Sequence, residues 1–173
     1  MELQNRVVVI TGGSGGIGQA MARRFLADGA ASVTLADLDE ETVGHAASAI
    51  GCEAEACDVT NEDQIVDLVD KVLARHGRID LFCSNAGATA GGGVLTDAPN
   101  NAWQRQWDLH VMAHIYAARA VLPSMIERGE GYLLNTASAA GLLAAIGSGP
   151  YSVTKAAAIK FAEFASIVHG DEG

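Results

Sequence analysis

Short runs of β-branched and apolar residues alternate along the chain with longer segments in which apolar positions recur every three or four residues. The first pattern predicts strands and the second amphipathic helices; their regular alternation predicts parallel strands joined by crossover helices. Five strands are expected, near Val7–Thr11, Ser32–Asp37, Glu53–Cys57, Ile79–Ser84 and Gly131–Ala137. The most apolar of them read as strands covered on both faces. Helices are placed near Gly16–Gly29, Glu40–Ile50, Glu62–His76, Trp103–Arg128 and Tyr151–Val168. The Gly-, Ala- and Thr-rich stretch Gly87–Asn101 reads as a loop just after the fourth strand, where ligand crevices of α/β proteins open. The Ala-rich run Thr136–Ala145 reads as a tightly packed strand end. With no repeat, linker or low-complexity segment, the expectation is one α/β domain over residues 1–173, a doubly wound parallel sheet.

Composition narrows the function. Among 173 residues 49% are apolar, enough for a core that needs no disulfide or metal staple. Eleven Lys and Arg face 21 Asp and Glu, a net charge of −10 that repels nucleic-acid backbones and anionic membranes. Cys52, Cys57 and Cys83 are odd in number and lack a CxxC spacing, which indicates neither a disulfide framework nor a zinc site and fits a reducing cytoplasm. The N-terminus shows no signal-peptide order, and no apolar stretch reaches membrane-spanning length.

The first strand runs into Thr11-Gly12-Gly13-Ser14-Gly15-Gly16-Ile17-Gly18 and then a helix, the context a pyrophosphate-binding turn requires. Glycines there allow a tight turn and close backbone approach, and the helix N-terminus supplies partial positive charge. Gly13-x-Gly15-x-x-Gly18 satisfies the general Rossmann pattern. Asp37 ends the second strand nineteen residues after Gly18, where a carboxylate can accept from both adenosine ribose hydroxyls and repel a 2′-phosphate. Position 14 is serine and Leu35–Glu41 contains no Lys or Arg, which favours NAD over NADP. The competing reading of Asp37 is a helix cap before Glu40 and Glu41.

Tyr151 and Lys155 lie four apart on the last helix, about one turn and ~6 Å of rise on one face. A free tyrosine titrates at about 10, so it is a poor base near neutrality unless a cation stabilises its phenolate. Lys155 is the available cation. Tyr-x-x-x-Lys alone is common and usually marks a solvated helix face; its combination with the nucleotide turn carries the specificity.

Thr11-Gly12-x-x-x-Gly16-x-Gly18, Asp58-Val59, Asn85-Ala86-Gly87, Ser138 and Tyr151-x-x-x-Lys155 together resemble the short-chain dehydrogenase/reductase family, across essentially the whole chain. The resemblance implies an NAD-dependent oxidoreductase that interconverts a secondary alcohol and a ketone, with a small or hydrophobic substrate. It implies that Tyr151 is the general acid/base, Ser138 orients and polarises the substrate oxygen, and Lys155 holds the nicotinamide ribose and tunes Tyr151. Gly12, Ser14, Gly16, Ile17, Gly18 and Asp37 would contact the cofactor with Tyr151 and Lys155. Asp58 and Val59 would border its adenine, and Asn85, Ala86 and Gly87 would support the sheet and a ribose. The resemblance also implies a homodimer or homotetramer through the last two long helices.

Two departures stand out. The family's fourth catalytic position is an asparagine seven residues past the tryptophan that opens the long helix, and here that position is His110. Histidine titrates near neutrality and can donate or accept, so the expectation is that His110 preserves the family's proton relay with a different pH response, against the alternative of a packed helix histidine. His110 and His114 have metal-pair spacing but no evident third ligand, so no metal site is expected. The second departure is length. Family members usually continue into two further strands and a segment that closes over the substrate, so the chain reads as truncated after the Tyr-x-x-x-Lys helix. That motivates an alternative, a non-catalytic nucleotide-binding or assembly module.

Overall fold

The computed structural model describes residues 1–89, 93 and 95–172. Its centre is β1 (Val7–Thr11), every residue of which is buried. Parallel partners extend on both sides in the order β3-β2-β1-β4-β5, with β2 at Ser32–Asp37, β3 at Glu53–Ala56, β4 at Leu81–Ser84 and β5 at Tyr132–Asn135. Val8 is paired with Val33 of β2 and with Leu81 of β4, so β1 is hydrogen-bonded on both edges.

Alternation along β1 divides the core into two layers. Val7 and Val9 pack with Ile65, Leu68 and Val72 of α3 (Glu62–His76) and with Ala117 and Val121 of α5 (Ala113–Arg128). Val8 and Ile10 pack with Ala22 of α1 (Gly16–Ala27) and with Val43 and Ala47 of α2 (Glu40–Ile50). Each fully buried aliphatic side chain contributes about 1.5–3 kcal/mol, and the continuous VVVI run of β1 serves both faces at once. This is the doubly wound, Rossmann-like sheet expected from the sequence. Chain order reverses direction between β1 and β4, and the carboxyl ends of those two strands open a crevice there.

The helix N-termini differ in a way that matters for the site. α2 is capped by Asp39, which accepts from Thr42 N at 2.8 Å, and α3 by Asn61, which accepts from Asp63 N at 3.0 Å. Both carry two acidic residues in the first turn, which complement the helix dipole. Asp39, and not Asp37, is therefore the cap of α2. α1 has neither a capping side chain nor an acidic residue in its first turn.

At the amino-terminal end of the sheet, Asp80 is fully buried just before β4. It accepts from Val7 N at 2.8 Å and from Arg78 Nε at 2.7 Å. Arg6 lies 3.7 Å from Asp80 and is paired with Glu130, which precedes β5.

Several boundaries differ from the sequence reading. The expected helix Trp103–Arg128 is α4 (Asn100–Trp107), a π-turn at Asp108–Met112, and α5. α4 starts within the stretch expected as loop because Pro99, extended at φ −71°, supplies its N-cap position. Ala90, Gly91, Gly92 and Val94 of that expected loop lie outside the described residues. Ile79 and Cys57 fall just outside β4 and β3, and α1 stops at Ala27, short of Gly29. Thr136–Ala145 is not a strand end. β4 ends at Ser84, so after the Thr136 N to Ser84 O bond of 3.0 Å the edge strand has nothing left to pair with. The chain turns instead through a 3₁₀ segment at Ala139–Gly141 into exposed Leu142 and Leu143. The last helix, α6, spans Gly149–His169. No helix among the described residues is long and apolar enough to cross a membrane.

Candidate active site

A cleft of about 1020 Å³ opens at the β1/β4 reversal. Its wall contains Gly12, Ser14, Gly16, Ile17, Gly18, Asp37, Asp58, Val59, Asn85, Ala86, Gly87, Ser138, Tyr151 and Lys155, so the fold gathers every sequence-predicted site residue except His110 onto one surface. His110 is wholly buried directly behind it.

The glycine turn is shaped by contacts that exclude side chains. Gly12 has φ +64°, and a Cβ there would lie 2.8 Å from the Ala86 backbone. A Cβ on Gly18 would collide with the carbonyl oxygen of Gly12, whereas Gly16 faces open space. The turn is thus closed toward the sheet and open toward the cleft. The first N–H groups of α1 have no carbonyl one turn back to pair with, and nothing in the sequence caps them. An anionic phosphate group fits that cradle.

Asp37 fastens this turn to the end of β2. Its Oδ2 accepts from Ser14 N at 3.0 Å and from the Ser14 hydroxyl, while Oδ1 accepts from Leu38 N at 2.8 Å. A carboxylate has about four acceptor sites, so capacity remains toward the cleft. Asn85 ties three strand ends together, donating from Nδ2 to Thr11 O at 3.0 Å and accepting at Oδ1 from Thr136 Oγ1 at 2.9 Å. Asp58 turns back on Thr60 N at 2.9 Å.

On the opposite wall, Lys155 is 2% exposed and donates from Nζ to Thr136 O at 2.8 Å. Burial lowers its pKa from the ordinary lysine value. Its Nζ lies 5.9 Å from the centre of the Tyr151 ring, as expected for neighbours one turn apart. The Ser138 hydroxyl accepts from Ala140 N at 3.2 Å, which starts the 3₁₀ turn and orients the side chain at the cleft wall.

His110 occupies a tighter environment than its sequence suggested. Nε2 accepts from Ala88 N at 3.3 Å and Nδ1 lies 3.0 Å from Thr154 Oγ1. The amide can only donate, so Nε2 is bare and Nδ1 carries the proton. The Thr154 hydroxyl passes its own proton to Pro150 O at 2.8 Å, which fixes the direction of the chain of bonds. Burial, with contributions from Lys155 and His114, pushes the His110 pKa down to about 3. The expected titration near neutrality is corrected accordingly: the fold holds this ring neutral. Its ring meets Tyr151 edge-on with centroids 5.3 Å apart.

Gln106, one turn earlier and also buried, donates from Nε2 to Ala88 O at 3.0 Å. Gln106 and His110 therefore grip both backbone polar groups of Ala88 from one helix face. Sequence reasoning missed Gln106 and Thr154, although Gln106 has the i−4 spacing to His110 that would flag it. It also missed Arg105, Leu109 and Thr136, which line the cleft.

A glycine turn at an uncapped helix, set at the order reversal of a parallel sheet, defines a Rossmann-type dinucleotide-binding α/β protein. The chain belongs to the short chain dehydrogenase family, whose profile matches residues 6–169. It is thereby an oxidoreductase of CH–OH groups that works with a nicotinamide cofactor. Meso-2,3-butanediol dehydrogenase of Serratia marcescens is 32% identical over 176 residues, a match covering 100% of this chain and 69% of that protein. 3beta-Hydroxysteroid dehydrogenase 2 of Eggerthella lenta is 30% identical, covering 99% and 68% respectively. Among solved structures, NAD+-bound xylitol dehydrogenase superposes with a TM-score of 0.92 at 30% identity over 100% of this chain and 68% of that one. A Burkholderia phymatum short chain dehydrogenase/reductase in complex with NAD gives 0.93 at 31% identity over 100% and 63%.

Proposed function

We propose that the chain is an NAD-dependent oxidoreductase that interconverts a secondary alcohol and a ketone, with Tyr151 as general acid/base. The observation that carries this reading is the enclosed Lys155 ammonium beside Tyr151, in the same cleft as the glycine turn and Ser138. In the oxidative direction the Tyr151 phenolate takes the hydroxyl proton of the alcohol while the Ser138 hydroxyl donates to the substrate oxygen. Lys155, anchored by Thr136 O, holds positive charge against the phenolate. NAD+ supplies the hydride acceptor when bound. Gly12–Gly18 and the open N–H groups of α1 would hold its pyrophosphate, and Asp37 its adenosine ribose. Asp37 also opposes a 2′-phosphate, which supports NAD over NADP. Asp58, Val59 and Asn85 to Gly87 would border the remaining nucleoside surfaces.

His110 acts in this reading as a positioning residue. Its two nitrogens are committed to Ala88 and Thr154, so it fixes the loop after β4 and helix α6 at the right separation instead of moving protons. Exposed Leu142, Leu143 and Ile146, on the loop between Ser138 and Tyr151, favour a substrate with an apolar flank. Val153, Phe164, Ile167 and Val168 are exposed on α6 and support a homodimer or homotetramer. Free thiols at Cys52, Cys57 and Cys83 suit a reducing cytoplasm.

The test is NADH formation across meso-2,3-butanediol, xylitol and a 3β-hydroxysteroid, with NADP+ run in parallel. Turnover with NAD+ and at least one alcohol, and a clear preference over NADP+, is expected. Tight NAD+ binding without turnover on any secondary alcohol would sink the enzymatic reading and leave a nucleotide-binding module.

A further inference from the structure

Ala88, just past β4, is held by both of its backbone groups from one side. Its N–H donates to His110 Nε2 at 3.3 Å and its carbonyl accepts from Gln106 Nε2 at 3.0 Å. Gln106 and His110 are buried behind the cleft wall, whereas Gly87, Ala88 and Thr89 are exposed along it. Gln106 is 1% exposed, and its Oε1 has no partner among the described residues. Packing alone does not account for a buried amide that makes a single bond; the hold on Ala88 does.

The peptide geometry then fixes what faces the other way. A planar trans peptide points its C=O and its N–H in opposite directions. With the Ala88 N–H turned toward His110, the Gly87 carbonyl of the same peptide is turned away from the helix, toward the cleft. With the Ala88 carbonyl turned toward Gln106, the Thr89 N–H is turned the same way. The result is one rung of an extended strand, with an acceptor and a donor side by side on the cleft wall. Neither has a partner among the described residues.

This pair sits beside Tyr151 and Lys155. A Cβ built on Gly87 would lie 3.4 Å from Lys155 Nζ. The His110 ring that receives the Ala88 N–H meets the Tyr151 ring with centroids 5.3 Å apart. Gly93 forms a parallel bridge to Ser148, just ahead of Tyr151. Thr89 therefore lies in the chain between a residue at Lys155 and a residue at the segment leading into Tyr151.

Building on the function proposed above, we propose that Gly87 O and Thr89 N–H bind a second hydroxyl of the substrate, adjacent to the one oxidised, and that Gln106 is the positioning residue that holds this pair in place. A hydroxyl both donates and accepts, so a single group satisfies both partners. A carboxylate would meet the lone pairs of Gly87 O, and an ammonium would meet the Thr89 N–H; a neutral hydroxyl suits each. The substrate class is vicinal diols and larger polyols. The reaction itself is unaltered: one carbinol carbon loses its hydride to NAD+ and its hydroxyl proton to Tyr151, and the neighbouring hydroxyl stays intact in a hydroxyketone product.

The test compares the full chain on meso-2,3-butanediol and on 2-butanol, which lacks the second hydroxyl. kcat/KM should be at least about 10-fold higher for the diol. Gln106→Met keeps the volume but has no N–H to donate, and it should remove most of that preference with NAD+ affinity unchanged. A merely structural role would lower both rates together and preserve their ratio. Thr89→Pro deletes the N–H itself and should also remove the preference, so the test does not depend on one variant folding. Equal kcat/KM for the two alcohols in the wild-type chain would overturn the proposal and leave the oxidoreductase reading intact, as would a preference that survives both substitutions. Weakened NAD+ binding in Gln106→Met with the ratio preserved would overturn it by assigning the pair to the cofactor. Oxidation of a 3β-hydroxysteroid without turnover of either small alcohol would overturn this site alone, whereas no turnover on any alcohol would overturn the function it rests on.

Discussion

At the amino-terminal end of the sheet the charged groups close on one another: Asp80 is taken up by Val7 N and Arg78, and Arg6 by Glu130. At the carboxyl-terminal end the polar groups facing the cleft are anchored by a few internal bonds and left with capacity. Asp37 is anchored by Ser14, Lys155 by one carbonyl, Ser138 by one amide, and α1 begins without a cap. The same strands thus carry a sealed end that stabilises and an open end that binds. A polar group contributes stability when its partners are internal, and it is available for chemistry when they are not.

The sealed end should break hardest. Asp80→Ala leaves Arg78 and the Val7 amide without their acceptor and should cost about 3–5 kcal/mol in urea unfolding, with NAD+ affinity unchanged in the folded fraction. A loss under about 1 kcal/mol would mean that the network contributes little.

The buried histidines behind the open end give it a sensitivity to mildly acidic pH. His110 and His114 are neutral in the fold, with pKa values near 3 and 4, and become cations in the unfolded chain below about 6.5. Protons therefore favour the unfolded chain as the pH falls from about 6.5, by about 2 kcal/mol per histidine at pH 5. Thermal unfolding between pH 8 and pH 5 should show this loss, and His114→Leu should remove roughly half of it.

Gly141 tests how closely the Ser138 turn must sit on α6. A Cβ there would come 2.7 Å from the Lys155 carbonyl carbon. Gly141→Ala should cost about 1–3 kcal/mol of stability through overpacking and reduce kcat more than it changes NAD+ binding, measured by calorimetry beside steady-state rates. Asp37→Ser, the mildest, should weaken NAD+ about 10-fold, near 1.4 kcal/mol, and narrow the gap to NADP+. An unchanged cofactor ratio would remove Asp37 from the selection.

Much of this was legible in the chain itself. The β-branched runs located β1 and β2 to the residue because burial on both faces requires continuous apolar character. Thr11–Gly18, Asp37 and Tyr151-x-x-x-Lys155 were readable because each couples residue type to a local spacing. The π-turn at Asp108–Met112 was not, since one residue of added helical pitch leaves the apolar pattern almost unchanged. Nor was the state of His110, which depends on Ala88, Thr154 and Lys155 arriving from other parts of the chain. The fate of Thr136–Ala145 depended on where β4 stops, which composition does not report.

The central claim is that the open end of the sheet performs proton transfer through Tyr151. Its most direct test is to measure NAD+ affinity and NADH formation side by side for the wild-type chain and Tyr151→Phe on an alcohol that the wild-type chain oxidises. The account predicts equal dissociation constants and a rate at least 100-fold lower in the variant. Equal rates at equal affinity would contradict it.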